Sequence, residues 1–446
     1  MRAQFLNRPL LVAFLGFSAG LSFTFGVWPA VLFALFVLWL RNWKISAFAA
    51  LSLAAGCFLK PPAPSGWFET FAFNGIVTVA SVPDRYADGV GCLVESQGVR
   101  YRLSAPPTPL FTLGDQIRVS GELGPLGEAS GYSGGAQGMI RAKSVVAIAT
   151  GPPLWHWGLM ASESFRTIVE SHLTPRSAAL VKGVCFNQTA GLNLDDWEAF
   201  RRFGVVHLLS ASGFHVAIVA GALLWLASLL PIPRVVQLAA VFAVLALFAV
   251  AAGFKPPIVR AVLMAVVALS AYLFRREADG LTAVSLAGLA TLAWAPASIA
   301  DLGFHLSVAA TLGLVMVVTR PRWREWGPTL RVTVPTLAST AAVFPLTGYV
   351  FGEISILGLA GNLIAGPLVG FLVVASLVAW ISTVLVPPIG GALFKAIEPF
   401  AALTMDLVDT MGRLPGSTVP VPPYSVVGLC CLYGILVLAW GRYAVD

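Results

Sequence analysis

Charged residues are scarce in this chain. Of its 446 residues only 11% are charged, whereas 57% are hydrophobic, and the mean hydropathy is +0.83. Soluble domains carry about a quarter charged residues. The composition therefore excludes an ordinary soluble domain and predicts a polytopic α-helical membrane protein.

Cysteine is also scarce, and it is not clustered. The five cysteines form no CxxC pair and no Cys/His group, which argues against a disulfide framework and against a zinc site. Motor and metalloenzyme signatures are missing too, since the chain contains no GxxxxGK[ST] loop, no HExxH and no HxHxDH. We therefore expect no enzyme activity and no cofactor.

The first sixty residues hold three apolar stretches with basic residues between them. The positive-inside bias places those basic residues in the cytoplasm and leaves the chain after Lys60 outside. A cleaved signal peptide is the alternative for the first stretch. The stretches are Pro9–Gly26, Val31–Leu40 and Ile45–Leu59, and the basic residues are Arg2, Arg8, Arg41 and Lys44.

Residues Asn74–Thr150 change to short alternating runs separated by glycine and proline turns. Five strands in one short segment predict a small extracytoplasmic β-barrel, for which the OB-fold is the commonest fit. The predicted strands are Gly75–Ser81, Val90–Glu95, Gly98–Leu103, Gln116–Leu123 and Met139–Ala149.

OB-folds often bind single-stranded nucleic acid through basic and aromatic side chains. Arg85, Arg100, Tyr101 and Arg102 are candidate DNA contacts here, and Lys255 is another further along the chain. Acidic residues balance the basic residues of the segment, however, so any contact would need a local face. A structural cap or a protein-docking module is the other interpretation, and both stay open.

Residues 153–204 have helical periodicity but are too polar to span a bilayer. Ser162–Leu173 and Asp195–Phe203 read as amphipathic helices, and Thr174-Pro175 reads as a helix start. We expect these helices to lie at the outer membrane boundary.

The rest of the chain consists of apolar runs with basic residues on every second connection. Arg234, the Arg275-Arg276 pair and a block ending at Arg331 mark the predicted cytoplasmic loops. The runs are Val205–Leu230, Val235–Ala252, Ile258–Phe274, Leu281–Ala295, Leu302–Thr319, Val332–Val350, Ile354–Val386 and Val426–Trp440, with the amphipathic Ala392–Met411 as an extra helix. The charges of Ala392–Met411 predict either an interfacial helix or one that lines a cavity.

The most informative run carries polar residues inside apolar sequence. A continuous helix after Val205 would place His207, Ala211 and His215 on one stripe, whereas unwinding at Ser210–Gly213 would turn backbone groups toward protein or water. Either way the segment reads as the wall of a buried polar path. Lys255-Pro256-Pro257 and Asn362–Pro367 predict two more interruptions, and small residues at four-residue spacing, Gly213-Ala217-Gly221 and Gly366-Gly370, predict close helix approach.

Two chemical alternatives use the same polar residues. His207, His215 and His305 could meet as metal ligands, but hydrogen-bonded structural histidines are the default. Ser210 and Ser212 lie near a histidine, yet neither sits in a GxSxG elbow, so a membrane-embedded hydrolase is the weaker reading.

The segment HLLSASGFH, His207–His215, resembles the H-L-L-x-x-S-G-x-H signature of the ComEC family of competence proteins. Three further blocks agree in order and spacing: Ile258–Ala261, Asp301–Ser307 and Asn362–Pro367. With the preceding β-domain, the resemblance covers roughly Asn74 to Tyr443.

The resemblance implies an inner-membrane channel that passes one strand of transforming DNA into the cytoplasm. Two departures matter: family members often have Gln at the position of His305, and many carry a C-terminal metallo-β-lactamase-like domain, whose HxHxDH motif is not found in this sequence. The residues assigned to the translocation path are His207, Ser210, Ser212, Gly213, His215, Arg260, Asp301, His305, Ser307, Asn362 and Pro367.

Four parts are then predicted: transmembrane helices in 1–60, an extracytoplasmic OB-fold-like domain in 61–152, interfacial helices in 153–204 and a transmembrane channel domain in 205–446. The expected partners are single-stranded DNA, membrane lipid, an extracytoplasmic DNA receptor, a separate nuclease and a cytoplasmic helicase-like motor; a homo-oligomer is left open. A transporter or flippase for a smaller anionic substrate is the alternative function.

Overall fold

The structure is a computed structural model, and it is mostly helical with one small β-barrel. It describes residues 9–21, 52, 70–85, 89–125, 136–189, 191–274, 279–319, 323, 325–414, 416–425, 428–429, 431–433 and 435–436. Several features predicted from the sequence lie outside the described residues. They are the stretch Val31–Leu40, nearly all of Ile45–Leu59, most of Val426–Trp440, the side chain of Arg85, and the basic residues Arg2, Arg8, Arg41, Lys44, Arg275, Arg276, Arg320, Arg322 and Arg324.

The barrel contains the five strands that the sequence predicts, with shifted ends. The first begins at Phe71 instead of Gly75, and a two-residue strand is added after it. The strands are β1 Phe71–Val79, β2 Asp84–Arg85, β3 Val90–Ser96, β4 Val99–Ala105, β5 Gln116–Gly124 and β6 Met139–Ala149.

The sheet closes on itself because β1 pairs with both β5 and β3. The order around the barrel is β1-β5-β6-β4-β3-β1, and every pairing is antiparallel except β4 with β6. Alternate side chains fill the interior, where Val94, Leu103, Ile117, Val119 and Ile140 are fully buried. Closure removes the exposed strand edges that an open sheet of this size would present.

Asp115 joins the barrel to the helices. Its buried carboxylate accepts the Thr112 N–H at 2.7 Å and the Gly151 N–H at 2.6 Å. His156 Nε2 lies 3.4 Å from the same carboxylate. Because Gly151 follows β6 and His156 lies in the next helix, this residue fixes the direction in which the chain leaves the barrel.

Outside the barrel, twelve described α-helices pack together around an apolar core. They are α1 Pro9–Leu21, α2 Pro153–His172, α3 Pro175–Phe186, α4 Leu194–Arg202, α5 Gly213–Ser228, α6 Arg234–Ala251, α7 Pro256–Leu273, α8 Gly280–Trp294, α9 Leu302–Val318, α10 Pro328–Phe351, α11 Gly358–Leu385 and α12 Pro387–Gly412. Two short strands, β7 Glu353–Ser355 and β8 Thr418–Pro420, pair beside the start of α11.

Three of the described helices, α6, α10 and α11, are long and apolar enough to cross a membrane by length and composition. Helices α5, α7, α8 and α9 are apolar but shorter. Pro345 interrupts the hydrogen-bond ladder of α10, and tyrosines of the C-terminal segment bond to carbonyls there: Tyr424 to Pro345, and Tyr433 to Ala342 at 3.0 Å. These bonds fix the C-terminal segment against the middle of α10.

One predicted interruption is confirmed and one is wrong. Helix α7 begins at Pro256, so Lys255-Pro256-Pro257 does separate two helices. Helix α11, however, runs without a break through Asn362 and Pro367. A single proline removes one ladder bond, and packing on both sides of α11 holds the helix together.

The charges of α12 bind the preceding helices. Glu398 accepts the Thr174 N–H at 3.1 Å and the hydroxyls of Thr174 and Ser177 at 2.7 and 2.8 Å. Arg176 pairs with Asp406 at 3.1 Å. Helix α3 therefore starts at Thr174-Pro175 as predicted, but the capping oxygen comes from α12 and not from the threonine side chain.

Candidate functional site

Residues 203–218, here called the crossing segment, pass along one side of α11. Gly204 has a φ of +78°, and a Cβ there would lie 2.7 Å from the Gly358 Cα. Further along, a Cβ at Gly361 would lie 2.6 Å from Val205, and one at Gly370 would lie 2.5 Å from Ile218. The glycines Gly358, Gly361 and Gly370 of α11, here called the glycine bed, therefore leave the space in which the crossing segment packs.

The crossing segment is not a continuous helix. A single 3₁₀ turn, Val206–Leu208, is followed by an irregular stretch, and α5 begins only at Gly213. The predicted stripe of His207, Ala211 and His215 on one helix is thus wrong, and the alternative of an unwound Ser210–Gly213 is confirmed. The break occurs because Ser212 takes an extended conformation as the N-cap of α5.

Ser212 and His215 cap α5 together. The Ser212 N–H donates to His215 Nδ1 at 3.0 Å, and the Ser212 hydroxyl lies 3.0 Å from the same nitrogen. Because Nδ1 accepts the backbone proton, the neutral ring carries its own proton on Nε2. His215 is 0% exposed, and this Nε2 has no hydrogen-bond partner within the described part of the chain. The serine–histidine contact is therefore a helix cap that lacks the third group of a catalytic triad.

His207 lies on the open side of the crossing segment. Its side chain has an accessible face but is closely surrounded by protein atoms, and it lies near the Asn362 side chain of α11. His207 is also within electrostatic range of the buried His215. The fold thus brings three residues of the predicted path together, although they are far apart in sequence.

Arg260 lies in the first turns of α7 and is 2% exposed. Its Nη2 donates to the Gly303 carbonyl at 3.3 Å, and its guanidinium carbon lies 5.0 Å from the centre of the Phe304 ring. Helix α5 is adjacent, since a Cβ at Gly213 would lie 3.6 Å from the Ala261 Cβ. The second and third sequence blocks therefore meet at this arginine.

The remaining polar residues of the third block have local structural partners. Asp301 caps α9 by accepting the Gly303 N–H at 3.2 Å, and His305 Nε2 lies 2.7 Å from the Ile299 carbonyl. The Ser307 carbonyl accepts the Thr311 hydroxyl at 2.8 Å. Among the described residues no three His, Cys, Asp or Glu side chains are grouped so as to hold a metal.

The other predicted path residues lie nearby without a distinct role. Ser210 is half-buried in the unwound stretch, and Pro367 is exposed on α11 five positions after Asn362. Gly213 meets Ala261 only at ordinary contact distance, and Gly221 faces open space, so the close approach expected for those two glycines is wrong.

The candidate DNA contacts of the barrel do not converge. Arg100 and Arg102 share the outer face of β4, whereas Tyr101 points inward against Phe73, with ring centres 6.3 Å apart. Arg100 lies 3.7 Å from Glu95. Lys255 lies elsewhere, in a cleft of about 50 Å³ between the barrel and the helices.

The sequence did not predict the packing of the crossing segment against the glycines of α11, nor the contact of Phe304 with Arg260. Gly358 and Gly361 precede the noted Gly366 and Gly370 in α11, but at spacings of three and five residues they do not continue the four-residue pattern on one helix face. Phe304 carried no signal either, because an aromatic residue in an apolar helix is ordinarily core.

A family model described as Competence protein matches residues 184–444. ComE operon protein 3 of Bacillus subtilis (strain 168) is 26% identical over 229 residues, which is 51% of this chain and 29% of that protein. Competence protein ComA of Neisseria gonorrhoeae is 28% identical over 321 residues, 69% of this chain and 42% of that protein. The chain spans less than half the length of either relative. No solved structure matches it.

Proposed function

This chain belongs to the competence protein family, and we propose that it forms an inner-membrane passage through which a single DNA strand enters the cytoplasm during natural transformation. The observation that carries the proposal is the unwound crossing segment. It places His207 near Asn362 beside apolar helices, inside the matched region.

The chemistry of a DNA strand supports a hydrated passage. Each nucleotide carries a charge, and moving even a few phosphates into hydrocarbon is prohibitive. Polar groups on an open surface reduce this cost, whereas many cations would hold the strand, because phosphate contacts add up. The pair formed by His207 and Asn362 offers hydrogen bonds without a permanent charge.

We further propose that the barrel is an OB-fold-like domain on the extracytoplasmic side. Its strand order and single parallel pairing fit a five-stranded Greek-key barrel. Two of its cations are paired: Arg100 lies 3.7 Å from Glu95, and Lys143 lies 2.7 Å from Glu122 and lowers the pKa of that carboxyl. The barrel should therefore guide or cap the passage and hold DNA only weakly.

Other steps of uptake require other proteins under this proposal. A receptor outside the cell would deliver DNA, a nuclease would remove one strand, and a cytoplasmic helicase-like motor would pull the other. The chain itself would conduct the strand without cutting it or hydrolysing ATP.

A transporter or flippase for a smaller anion is the second candidate. The buried Arg260 is compatible with this candidate as well, because a buried guanidinium can bind a single anionic group. The two candidates differ in the largest cargo that they pass.

Cargo size can be tested in proteoliposomes that contain the purified full chain. A potassium diffusion potential, positive inside, would drive a fluorescent single-stranded oligonucleotide inward, and added nuclease would destroy what stays outside. We expect nuclease-resistant fluorescence with single strands, and none with duplex DNA or in protein-free vesicles. Passage of small phosphate esters without passage of oligonucleotides would favour the transporter and overturn the channel.

A further inference from the structure

Arg260 has an environment that a structural arginine rarely has. It is the largest of the fully buried side chains among the described residues. Buried guanidinium groups are normally hydrogen-bonded on most of their donors and paired with a carboxylate, because an uncompensated buried charge is strongly destabilising. Arg260 meets neither condition.

Only one of its donors has a partner in the described part of the chain. Nη2 bonds to the Gly303 carbonyl at 3.3 Å, which is longer than the usual N–H to oxygen distance. Nε and Nη1 are buried without a hydrogen-bond partner. The Asp301 carboxylate is within electrostatic range, but it is engaged in capping Gly303 and forms no ion pair with Arg260.

The groups around Arg260 suit an anion. The Phe304 ring, 5.0 Å from the guanidinium carbon, packs against Arg260 and provides no hydrogen-bond acceptor for Nε or Nη1. The start of α5 lies against Ala261, and helix starts attract negative charge. Helix α5 also carries a second buried nitrogen, His215 Nε2, that has no hydrogen-bond partner among the residues the structure describes.

We propose that Arg260 is a binding site for an oxyanion, namely a phosphodiester group of the transported strand, which takes the Nε and Nη1 donors. The first turn of α9, with Gly303 and Phe304, is its cover and moves aside when the phosphate arrives. The inference rests on the proposed function for its cargo, but the anion site can be tested separately.

The separate test uses inorganic phosphate and the full chain in detergent or nanodiscs. A ligand that binds only the folded state raises the melting temperature with its concentration. We expect phosphate to raise the melting temperature of the unmodified protein above that in equal chloride, to do so less in Arg260→Lys, and not at all in Arg260→Met. An equal shift in all three proteins would overturn the anion site.

The second test measures the salt dependence of single-stranded DNA binding by fluorescence anisotropy. Each phosphate contact to a single strand contributes about −0.7 to the slope of log K against log salt. Arg260→Met should make the slope shallower by about 0.7, whereas Arg260→Lys keeps the charge and the slope. A matched control is Arg413→Met, which removes an exposed cation that pairs with Asp409 at 2.8 Å.

The outcomes separate the two proposals. A purely structural Arg260 would lower the melting temperature and the affinity in Arg260→Met without changing the slope, which contradicts the site. If phosphate protects the unmodified protein through Arg260 but no strand binds, the anion site stands and the DNA cargo fails. If Arg260→Met does not fold, the intermediate phosphate shift of Arg260→Lys decides.

Discussion

The barrel and the helical region treat polar side chains in opposite ways. On the barrel, the buried Asp115 carboxylate is hydrogen-bonded, and surface charges form pairs such as Lys143 with Glu122. In the helical region, Arg260 and His215 are buried and have nitrogens without hydrogen-bond partners among the described residues. Unpaired buried groups are destabilising, so a fold keeps them where they serve a purpose. Under our proposal, the barrel is therefore a scaffold and the strand is bound among the helices.

The largest effect should come from filling the space between the crossing segment and α11. Gly204→Ala forces a Cβ against Gly358 at a positive φ and should destabilise the protein by on the order of 3 kcal/mol. Thermal unfolding and membrane protein level measure this effect. Gly221→Ala is the matched control, since a Cβ there meets open space. Equal stability of the two variants would contradict the glycine bed on α11.

The next effect should be functional and should leave the fold intact. His207→Ala removes the side chain that lies near Asn362, and we expect strand uptake to fall at least about tenfold, a loss of at least about 1.4 kcal/mol, with unchanged protein level. His207→Gln retains a hydrogen-bonding side chain and should recover most uptake. Normal uptake by His207→Ala in the proteoliposome assay would remove the residue from the path.

The barrel should bind single-stranded DNA more tightly only when its ion pairs are broken. The isolated barrel should fold and bind single-stranded DNA with a dissociation constant of roughly 10⁻⁵ M or weaker at physiological salt. The double variant Glu95→Gln, Glu122→Gln frees Arg100 and Lys143 and should tighten binding several-fold. Tight, salt-resistant binding by the unmodified barrel would show a local site that the pairing does not suppress.

Removal of one cap should have a smaller effect. Glu398→Gln weakens three hydrogen bonds to Thr174 and Ser177 at the start of α3 and should cost about 1 kcal/mol of unfolding free energy. Thermal unfolding with uptake as a second readout checks this. A loss of uptake without a loss of stability would give α12 a functional role beyond packing.

No effect is expected from divalent metals. Purified protein with Mg²⁺, Mn²⁺ or Zn²⁺ should leave single-stranded and duplex DNA intact on a gel. Degradation that disappears on replacing His207, His215 and His305 would make those histidines ligands and reverse this reading.

Local sequence patterns predicted most elements. The alternation of residues in β3, β5 and β6 located those strands to within about one residue, because a pleated strand places every second side chain inside. Long apolar runs likewise located the helices. The continuous course of α11 through Pro367 was not predicted, because neighbouring helices decide whether a proline breaks a helix.

The sequence predicts which residues belong to the candidate site, but it does not predict how they are arranged. His207 and Asn362 are both predicted from sequence, yet their proximity depends on how the crossing segment lies on α11. Tyr101 was named as a DNA contact, but its position on β4 turns it toward Phe73.

By itself the sequence determined which segments are apolar, where the barrel strands lie and which family the signature resembles, because periodicity and composition are properties of neighbouring residues. The tertiary structure decided that Ser212 ends an unwound stretch, that α11 carries a glycine bed and that Arg260 is enclosed by Gly303 and Phe304. These are contacts between residues distant along the chain. The free energy of these contacts depends on how deeply the residues are buried and on the distances between them, and a local sequence pattern determines neither.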